Sequence, residues 1–175
     1  MRVRVRVSWY GQPSAANVAA RFSTAVRSPD AIAPLEEGER GAREMQDDVL
    51  VSNGLIGLGW AHLRQGEFTV AGRELREALD RAVTFGSRET IPRALGALAA
   101  VAEKSGDTER AAMLFGAAEG VRGTLGADMW GIDQQAHAET ARGLRTRLGE
   151  KRYRRLTARG ASLALDDVIE LASHP

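Results

Sequence analysis

The sequence predicts an all-α protein whose antiparallel helix hairpins stack into a short superhelix. The first observation is an internal repeat, because residues 51–86 and 91–126 carry small and apolar residues at matching positions when offset by 40. The second is that these residues recur at helical spacing within each copy. A repeat of this length usually corresponds to one supersecondary unit stacked on its neighbour. The matching pairs are Leu55/Leu95, Leu58/Leu98, Gly59/Ala99, Gly66/Gly106, Ala71/Ala111, Leu75/Phe115, Ala78/Ala118 and Gly86/Gly126.

Each copy is predicted to be a helix, a tight turn and a second helix. In the first copy the apolar rhythm ends at Gly66, which follows a basic last turn and suits a left-handed C-cap. A second run of apolar residues at helical spacing begins at Phe68 and ends at Gly86. The second copy repeats this order around Gly106, and the many alanines favour close packing of one helix on another.

This pattern resembles the tetratricopeptide repeat, in which a turn glycine followed by an acid separates two helices of small residues. The spacing of 40 between copies exceeds the usual length of that repeat, so the link between units is longer. Residues 94–172 are similar to the C-terminal sensor region of LuxR-type and SARP-type bacterial ATPase transcriptional regulators. The segments that carry this similarity are ALGALAAVAEKSGDTERAAMLFGAAEGVRGTLGA, RLGEKRY and GASLALDDVIELA. Ala164 departs from the pattern, since a polar cap is expected before the final helix.

The flanks of the repeats are less regular. Residues 1–38 are expected to be poorly structured or irregular, with a strand-like alternation at 2–7, a helix at 13–26 and a Pro-containing loop at 28–38. The repeat domain is predicted to span 39–175, its first helix running from Glu39 unbroken into the first repeat. After a loop at 128–131, degenerate capping helices are predicted within 132–173, with a turn at 160–164.

Composition excludes several classes of protein. The chain of 175 residues has no cysteine and a net charge of +1, with 43% hydrophobic and 27% charged residues. A disulfide framework and a thiolate metal site are therefore excluded. Because no stretch is apolar enough for a membrane span and the start lacks a signal peptide, a cytoplasmic protein without membrane association is predicted.

No catalytic, cofactor or metal site is predicted. Asp133 and His137 share a helix face, but zinc catalysis needs three protein ligands and no third lies nearby. His62 is interpreted as a packed helix residue, the alternative being a ligand contact in a groove. His174 lies beside the terminus and is expected to be frayed. The glycines at 54, 57 and 59 lack the spacing and the preceding strand of a phosphate loop.

One charged feature stands out in the segment 142–159, where eight basic residues accompany a single acid, Glu150. Such a patch suits a nucleic-acid backbone or an acidic partner. The alternative is a solvated or salt-bridged face in an arginine-rich chain. The basic residues are Arg142, Arg145, Arg147, Lys151, Arg152, Arg154, Arg155 and Arg159.

The predicted function is a non-enzymatic scaffold that binds a protein or peptide through the first helix of each unit. Helix geometry suggests Asn53, Gly57, Trp60 and Arg64 in the first unit and Arg93, Ala97 and Glu103 in the second as contacts. Nucleic-acid binding through Arg145, Arg152, Arg154 and Arg155 is one alternative, and self-association into a homodimer is another.

The resemblance implies a role in transcriptional regulation, in which such regions sense an effector or hold a switch domain inactive. The sequence carries no recognisable nucleotide-binding domain or helix-turn-helix reader. A detached sensor module, a fragment of a larger gene or the partner of a separate regulator is therefore expected.

Overall fold

The computed structural model describes residues 30–125 and 131–173, in which eight helices pack together without any strand. The prediction of an all-α fold is confirmed. The predicted strand at 2–7, the helix at 13–26 and most of the loop at 128–131 lie outside these residues. The helices are α1 (Ile32–Glu44), α2 (Asp48–Gln65), α3 (Phe68–Thr84), α4 (Thr90–Ser105), α5 (Thr108–Leu125), α6 (Gly131–Leu148), α7 (Glu150–Ala161) and α8 (Leu165–Ser173).

The first helix corrects two predictions. It begins at Ile32, so the loop predicted for 28–38 and the domain start at 39 are wrong over residues 32–38. Pro34 is tolerated because it lies in the first turn, where a backbone N–H has no acceptor within the helix. Nor does the helix run on into the first repeat, since Gln46 takes a positive φ of 55° and α2 starts afresh after Asp47.

The two repeats form the predicted helix pairs. Gly66 (φ 82°) ends α2 and Gly106 (φ 94°) ends α4, both in the left-handed conformation that glycine adopts without a steric penalty. Asp48, in the first turn of α2, lies 2.6 Å from Arg81, in the last turn of α3. Because the opposite ends of these helices meet, α2 and α3 run antiparallel.

Helices α2, α4 and α6 form a central row, in which α2 contacts α4 and α4 contacts α6. The other helices flank this row: α1 lies on α2, α3 on α2 and α4, α5 on α4 and α6, and α7 on α5 and α6. The last helix, α8, lies across α3 and α5 and buries Val168 and Ala172. It therefore covers a helix from each repeat.

The main core follows the small residues that the sequence repeats. Ala71, Ala99 and Ala111 are fully buried, and Leu75 is buried beside Gly59. A Cβ added at Gly59 would lie 2.5 Å from the Leu75 Cγ atom. The small residues thus let helices approach closely, as the repeat pattern predicts.

The closest approach joins α5 to α7. A Cβ added at Gly116 would collide with the carbonyl oxygen of Thr157, and one at Gly160 with that of Met113. At Gly120 the added Cβ would lie 2.9 Å from the carbonyl oxygen of Ala161. The turn predicted for 160–164 is therefore wrong at its start, because Gly160 is a helical residue in this contact and the turn comprises only 162–164.

Candidate functional site: the helix surfaces

Two of the predicted partner contacts lie inside the protein. Asn53 has 7% of its surface exposed, and its Oδ1 atom accepts a hydrogen bond of 2.6 Å from the Arg93 Nη1 group. Glu103 is 2% exposed. The predictions that Asn53 and Glu103 contact a partner are wrong, because these side chains are enclosed within the helix packing. Gly57 and Ala97, suggested with them, are also buried.

The buried Glu103 carboxylate on α4 joins this helix to α6. Its oxygens lie 3.3 Å from the Arg147 Nε atom and 3.2 Å from the Lys104 Nζ atom. Arg147 also donates a 3.0 Å hydrogen bond to the backbone carbonyl of Glu103. The sequence places Arg147 in the basic segment but does not reveal this partner, which is 44 residues away.

Trp60 and Arg64, two further predicted partner contacts, lie one helical turn apart on α2. Trp60 is partly buried and Arg64 is exposed. Trp60 packs against the main core and also against a smaller cluster from α1 and α2. Its ring is therefore held by both. The buried residues of that smaller cluster are Ala31, Leu35, Leu58 and Ala61.

His62 is a packed residue, in agreement with its interpretation from the sequence. It is 8% exposed, and its Nδ1 atom lies 2.8 Å from a carboxylate oxygen of Glu74 on α3. Its Nε2 atom lies 3.6 Å from Glu67. Burial raises the pKa of Glu74 above its ordinary value, although the hydrogen bond to His62 opposes this shift. The pair joins the two helices of the first repeat.

A chain of ion pairs links α1, α2 and α3 near the start of α2. Arg43 bonds Glu39 and also donates a 2.7 Å hydrogen bond to Glu77, which accepts another of 3.1 Å from Arg81. Arg81 also donates a 2.6 Å hydrogen bond to the Asp48 carboxylate. Burial favours the neutral form of Glu77, but the hydrogen bonds from Arg43 and Arg81 lower its pKa below the ordinary value. These charges are neutralised within the fold.

Glu119 forms a second polar junction, between α5 and α6. It bonds Arg122 at 2.5 Å and lies 3.2 Å from His137, whose ring stacks on Phe115 with centroids 4.2 Å apart. Burial acts to raise the pKa of Glu119, but the hydrogen bonds from His137 and Arg122 outweigh it and lower the pKa to about 2. His137 thus faces Glu119, while the side chain of Asp133 lies outside the described residues.

About half of the basic segment is paired with acids. Arg152 bonds Glu109 on α5, and Arg154 bonds Glu150 at 2.6 Å. Arg145 lies 3.5 Å from Glu150 and stacks its guanidinium 4.7 Å from the centroid of Tyr153. Burial raises the pKa of Tyr153. Since Tyr153 is only 6% exposed, it offers no stacking surface to a base.

The remaining basic residues of α7 form what we call the cationic stripe: Lys151, Arg155 and Arg159. They recur every fourth residue and are exposed, whereas Tyr153 and Leu156 of the same helix are buried. No acid whose side chain the structure describes forms an ion pair with them. Of the predicted basic contacts, Arg145, Arg152 and Arg154 are therefore paired, and Arg155 faces solvent.

Four large apolar side chains are exposed among the residues that the structure describes. Three lie near the same end of the first repeat: Met45 before α2, Val49 in its first turn and Phe85 after α3, with 67%, 42% and 57% exposed. The fourth is Leu165, which begins α8 and is 41% exposed.

Comparison of the chain with known protein families, with curated proteins and with solved structures finds no match. Within the described residues, no three His, Cys, Asp or Glu side chains lie together as a metal site. None of the helices in that part of the chain combines the length and apolar character needed to cross a bilayer.

Proposed function

We propose that this chain is a non-enzymatic protein-interaction scaffold of the tetratricopeptide kind, and that it binds its partner around Trp60 and Arg64 on α2. The observation that carries the proposal is the position of these two residues. Trp60 is held by packing yet partly exposed, and Arg64 is exposed one turn further on. Tryptophan and arginine are the residue types that most often dominate the energy of a protein interface.

The architecture supports this role. Stacked helical units present extended surfaces that bind other polypeptides, and each repeat contributes its own helix to that surface. In this chain Asn53 and Glu103 hold helices together, which narrows the proposed surface to the end of α2 near Gly66.

The test is an affinity capture from the host lysate with the full chain, comparing wild type with the double substitution W60A/R64A. We expect a protein retained at moderate salt by wild type and lost by W60A/R64A. Phe85→Ala is the matched control, since Phe85 is an exposed aromatic residue at another end of the hairpin. Equal retention by W60A/R64A and wild type would exclude this surface, provided that circular dichroism shows both chains folded.

The resemblance to regulator sensor regions supports a narrower proposal, that the partner is a transcriptional regulator. Mass spectrometry of the retained protein tests it. A DNA-binding or nucleotide-binding regulator is expected, and a partner with neither property would remove the basis for this role.

Nucleic-acid binding through the basic segment is the competing proposal, and the ion pairs of Arg152 and Arg154 weigh against it. The charge reversal R152E/R154E/R155E should abolish retention of nucleic acid if this surface binds it. The same variant should leave partner capture through Trp60 intact.

A further inference from the structure

We propose that the His62 cluster, which comprises His62, Glu67 and Glu74, is a pH-sensitive switch that holds the first helix hairpin closed while the imidazole is protonated. His62 lies on α2, Glu74 lies on α3, and Glu67 lies at the turn that joins these helices. The cluster therefore connects all three parts of the hairpin. It is separate from the scaffold surface around Trp60, and the switch does not depend on that proposed function.

Both nitrogens of the His62 ring face carboxylates. Nδ1 lies 2.8 Å from an oxygen of Glu74, and Nε2 lies 3.6 Å from an oxygen of Glu67. A neutral imidazole has one N–H donor and one lone pair, whereas the imidazolium has an N–H donor on each nitrogen. In the neutral ring, a lone pair must therefore face a negatively charged oxygen. Only the protonated ring is attracted to both neighbours.

Burial strengthens this preference. The side chains of His62 and Glu74 are both largely removed from water, so solvent screens the charges between them only weakly. A buried carboxylate is costly unless it is paired with a cation and hydrogen-bonded. The imidazolium is the cation within hydrogen-bonding distance of Glu74. Loss of its proton would leave the carboxylate in the same place without that charge.

Charged residues of α1 and α3 also act on the cluster. Burial raises the pKa of Glu74, and the negative charge of Glu36 on α1 acts in the same direction. The hydrogen bond from His62 and the charge of Arg73 on α3 oppose this rise without cancelling it. The proton is thus held at the cluster by burial and by a second acid, in agreement with the geometry of the ring.

Charged residues elsewhere around α2 have other partners. Arg64, on the same helix, is exposed. The chain of ion pairs that includes Arg43 lies near the start of α2, whereas His62 is in its last turn. The charged residues of α4 bond groups outside the cluster, namely Arg93 to Asn53 and Glu103 to Lys104 and Arg147.

The direction of the pH dependence follows from these charges. A raised pKa means that the folded chain binds the Glu74 proton more firmly than the unfolded chain, whose carboxyl keeps its ordinary value of 4.5. This stabilisation is complete below pH 4.5 and is lost as the pH rises through the raised value. A proton that the fold retains on His62 has the same sign. Because histidine changes charge between about pH 5 and 8, the loss extends to neutral pH.

The second repeat provides an internal comparison. At the offset of 40 residues, the positions of His62 and Glu74 are occupied by Ala102 and Leu114, both of which are buried. The α4–α5 hairpin is thus joined by apolar contacts where the α2–α3 hairpin is joined by an ionisable pair. A rise in pH should therefore open the first hairpin and leave the second one closed.

Hydrogen exchange of the full chain, followed by mass spectrometry and corrected for intrinsic exchange rates, tests the proposal because it measures the opening of each hairpin separately. Between about pH 5.5 and about pH 8, we expect the protection of peptides from α2 and α3 to fall by about tenfold, equivalent to a change of about one unit in proton affinity. Peptides from α4 and α5 should change by less than about threefold.

Two substitutions identify the groups responsible. His62→Gln keeps a polar side chain that carries no charge, and it should reduce the fall in α2–α3 protection to less than about threefold. Glu67→Gln removes one of the two acids at a half-exposed position, and it should also reduce the fall. His137→Gln is the matched control, since His137 pairs with Glu119 between α5 and α6. It should leave the tenfold fall in α2–α3 unchanged.

Three results would overturn the proposal. The first is a wild-type chain in which α2–α3 protection does not fall over this pH range. The second is an equal fall in both hairpins, which would indicate that the whole fold loses stability. The third is a wild-type fall retained in His62→Gln. If that variant does not fold, Glu67→Gln decides, and an unchanged fall in it would equally overturn the proposal.

Discussion

The Arg147 guanidinium of α6 lies 3.3 Å from the buried carboxylate of Glu103 on α4, and it also bonds the backbone carbonyl of the same residue. Lys104, the other cation near this carboxylate, is exposed and adjacent in the chain. Arg147 therefore supplies the cross-helix partner of a charge that is almost completely removed from water.

Removing this partner should destabilise the fold. Arg147→Ala leaves the Glu103 carboxylate with Lys104 alone, and we expect a loss of about 1–3 kcal/mol in the free energy of unfolding. Urea denaturation measures it. Arg155→Ala is the control, since Arg155 is exposed and should change stability by about 0.5 kcal/mol or less. Equal stability of the two variants would show that Glu103 does not depend on Arg147.

The glycines between α5 and α7 give a second prediction. Gly116→Ala places a Cβ against the carbonyl oxygen of Thr157, and a backbone atom cannot move aside as a side chain can. We expect a destabilisation of about 2 kcal/mol or more, as for overpacked cores. The matched control is Gly123→Ala on the same helix, where no atom lies within 4 Å of the added Cβ.

That control should stabilise the chain by up to about 1 kcal/mol, because alanine favours helix more than glycine does. Thermal unfolding of both variants gives the comparison. If Gly116→Ala also raised the melting temperature, the close contact of α5 with α7 would be refuted.

The lowered pKa of Glu119 predicts a dependence of stability on acid. Because its pKa is about 2 in the fold, against an ordinary value of 4.5, the ionised carboxylate stabilises the fold above pH 4.5. This contribution is lost as the pH falls from about 4.5 towards 2. After allowance for solvent screening of a partly exposed group, we expect about 1–2 kcal/mol.

Glu119→Gln should therefore flatten the stability curve in this acid range, which unfolding measured between pH 2 and 6 would reveal. Glu139→Gln, an exposed change on α6, serves as the control. If Glu119→Gln lost as much stability as wild type between pH 4.5 and 2, other carboxylates would be responsible for that loss.

The start of α2 supplies a fourth prediction. The Asp47 carboxylate accepts a 3.0 Å hydrogen bond from the backbone N–H of Leu50 and so caps the helix. Asp47→Ala should cost about 1 kcal/mol of unfolding free energy. Glu89, at the same position before α4, makes no such bond, so Glu89→Ala should have little effect in the same denaturation experiment. Similar losses in both variants would argue against a capping role.

The helix pairs were predictable because small residues and turn glycines recur at fixed spacing in the sequence. The helix ends at Gly66 and Gly106 can be predicted from the local sequence, since glycine favours the left-handed conformation that both residues adopt. The start of α1 was not predicted correctly, because Pro34 suggests a break although the first helical turn tolerates it. The break at Gln46 carries no glycine or proline that would reveal it.

The contacts of the proposed sites depend on residues far apart in the chain. Asn53 meets Arg93, and Glu103 meets Arg147, only because α2, α4 and α6 lie side by side. A single helix face gives no sign of which neighbour covers it, so the sequence does not reveal that Asn53 and Glu103 are buried. The charge of Arg152 was visible in the sequence, but its neutralisation by Glu109 was not.

The glycine contact between α5 and α7 also bears on how this chain can evolve in length. A further copy of the repeat inserted between residues 86 and 91 leaves Gly116 and Gly160 in the same two helices, with their spacing along the chain unchanged. A copy inserted after α5 separates those glycines, and the new unit must then bring its own glycines to face α7. Duplication upstream of α5 thus preserves this glycine contact, whereas duplication between α5 and α7 does not.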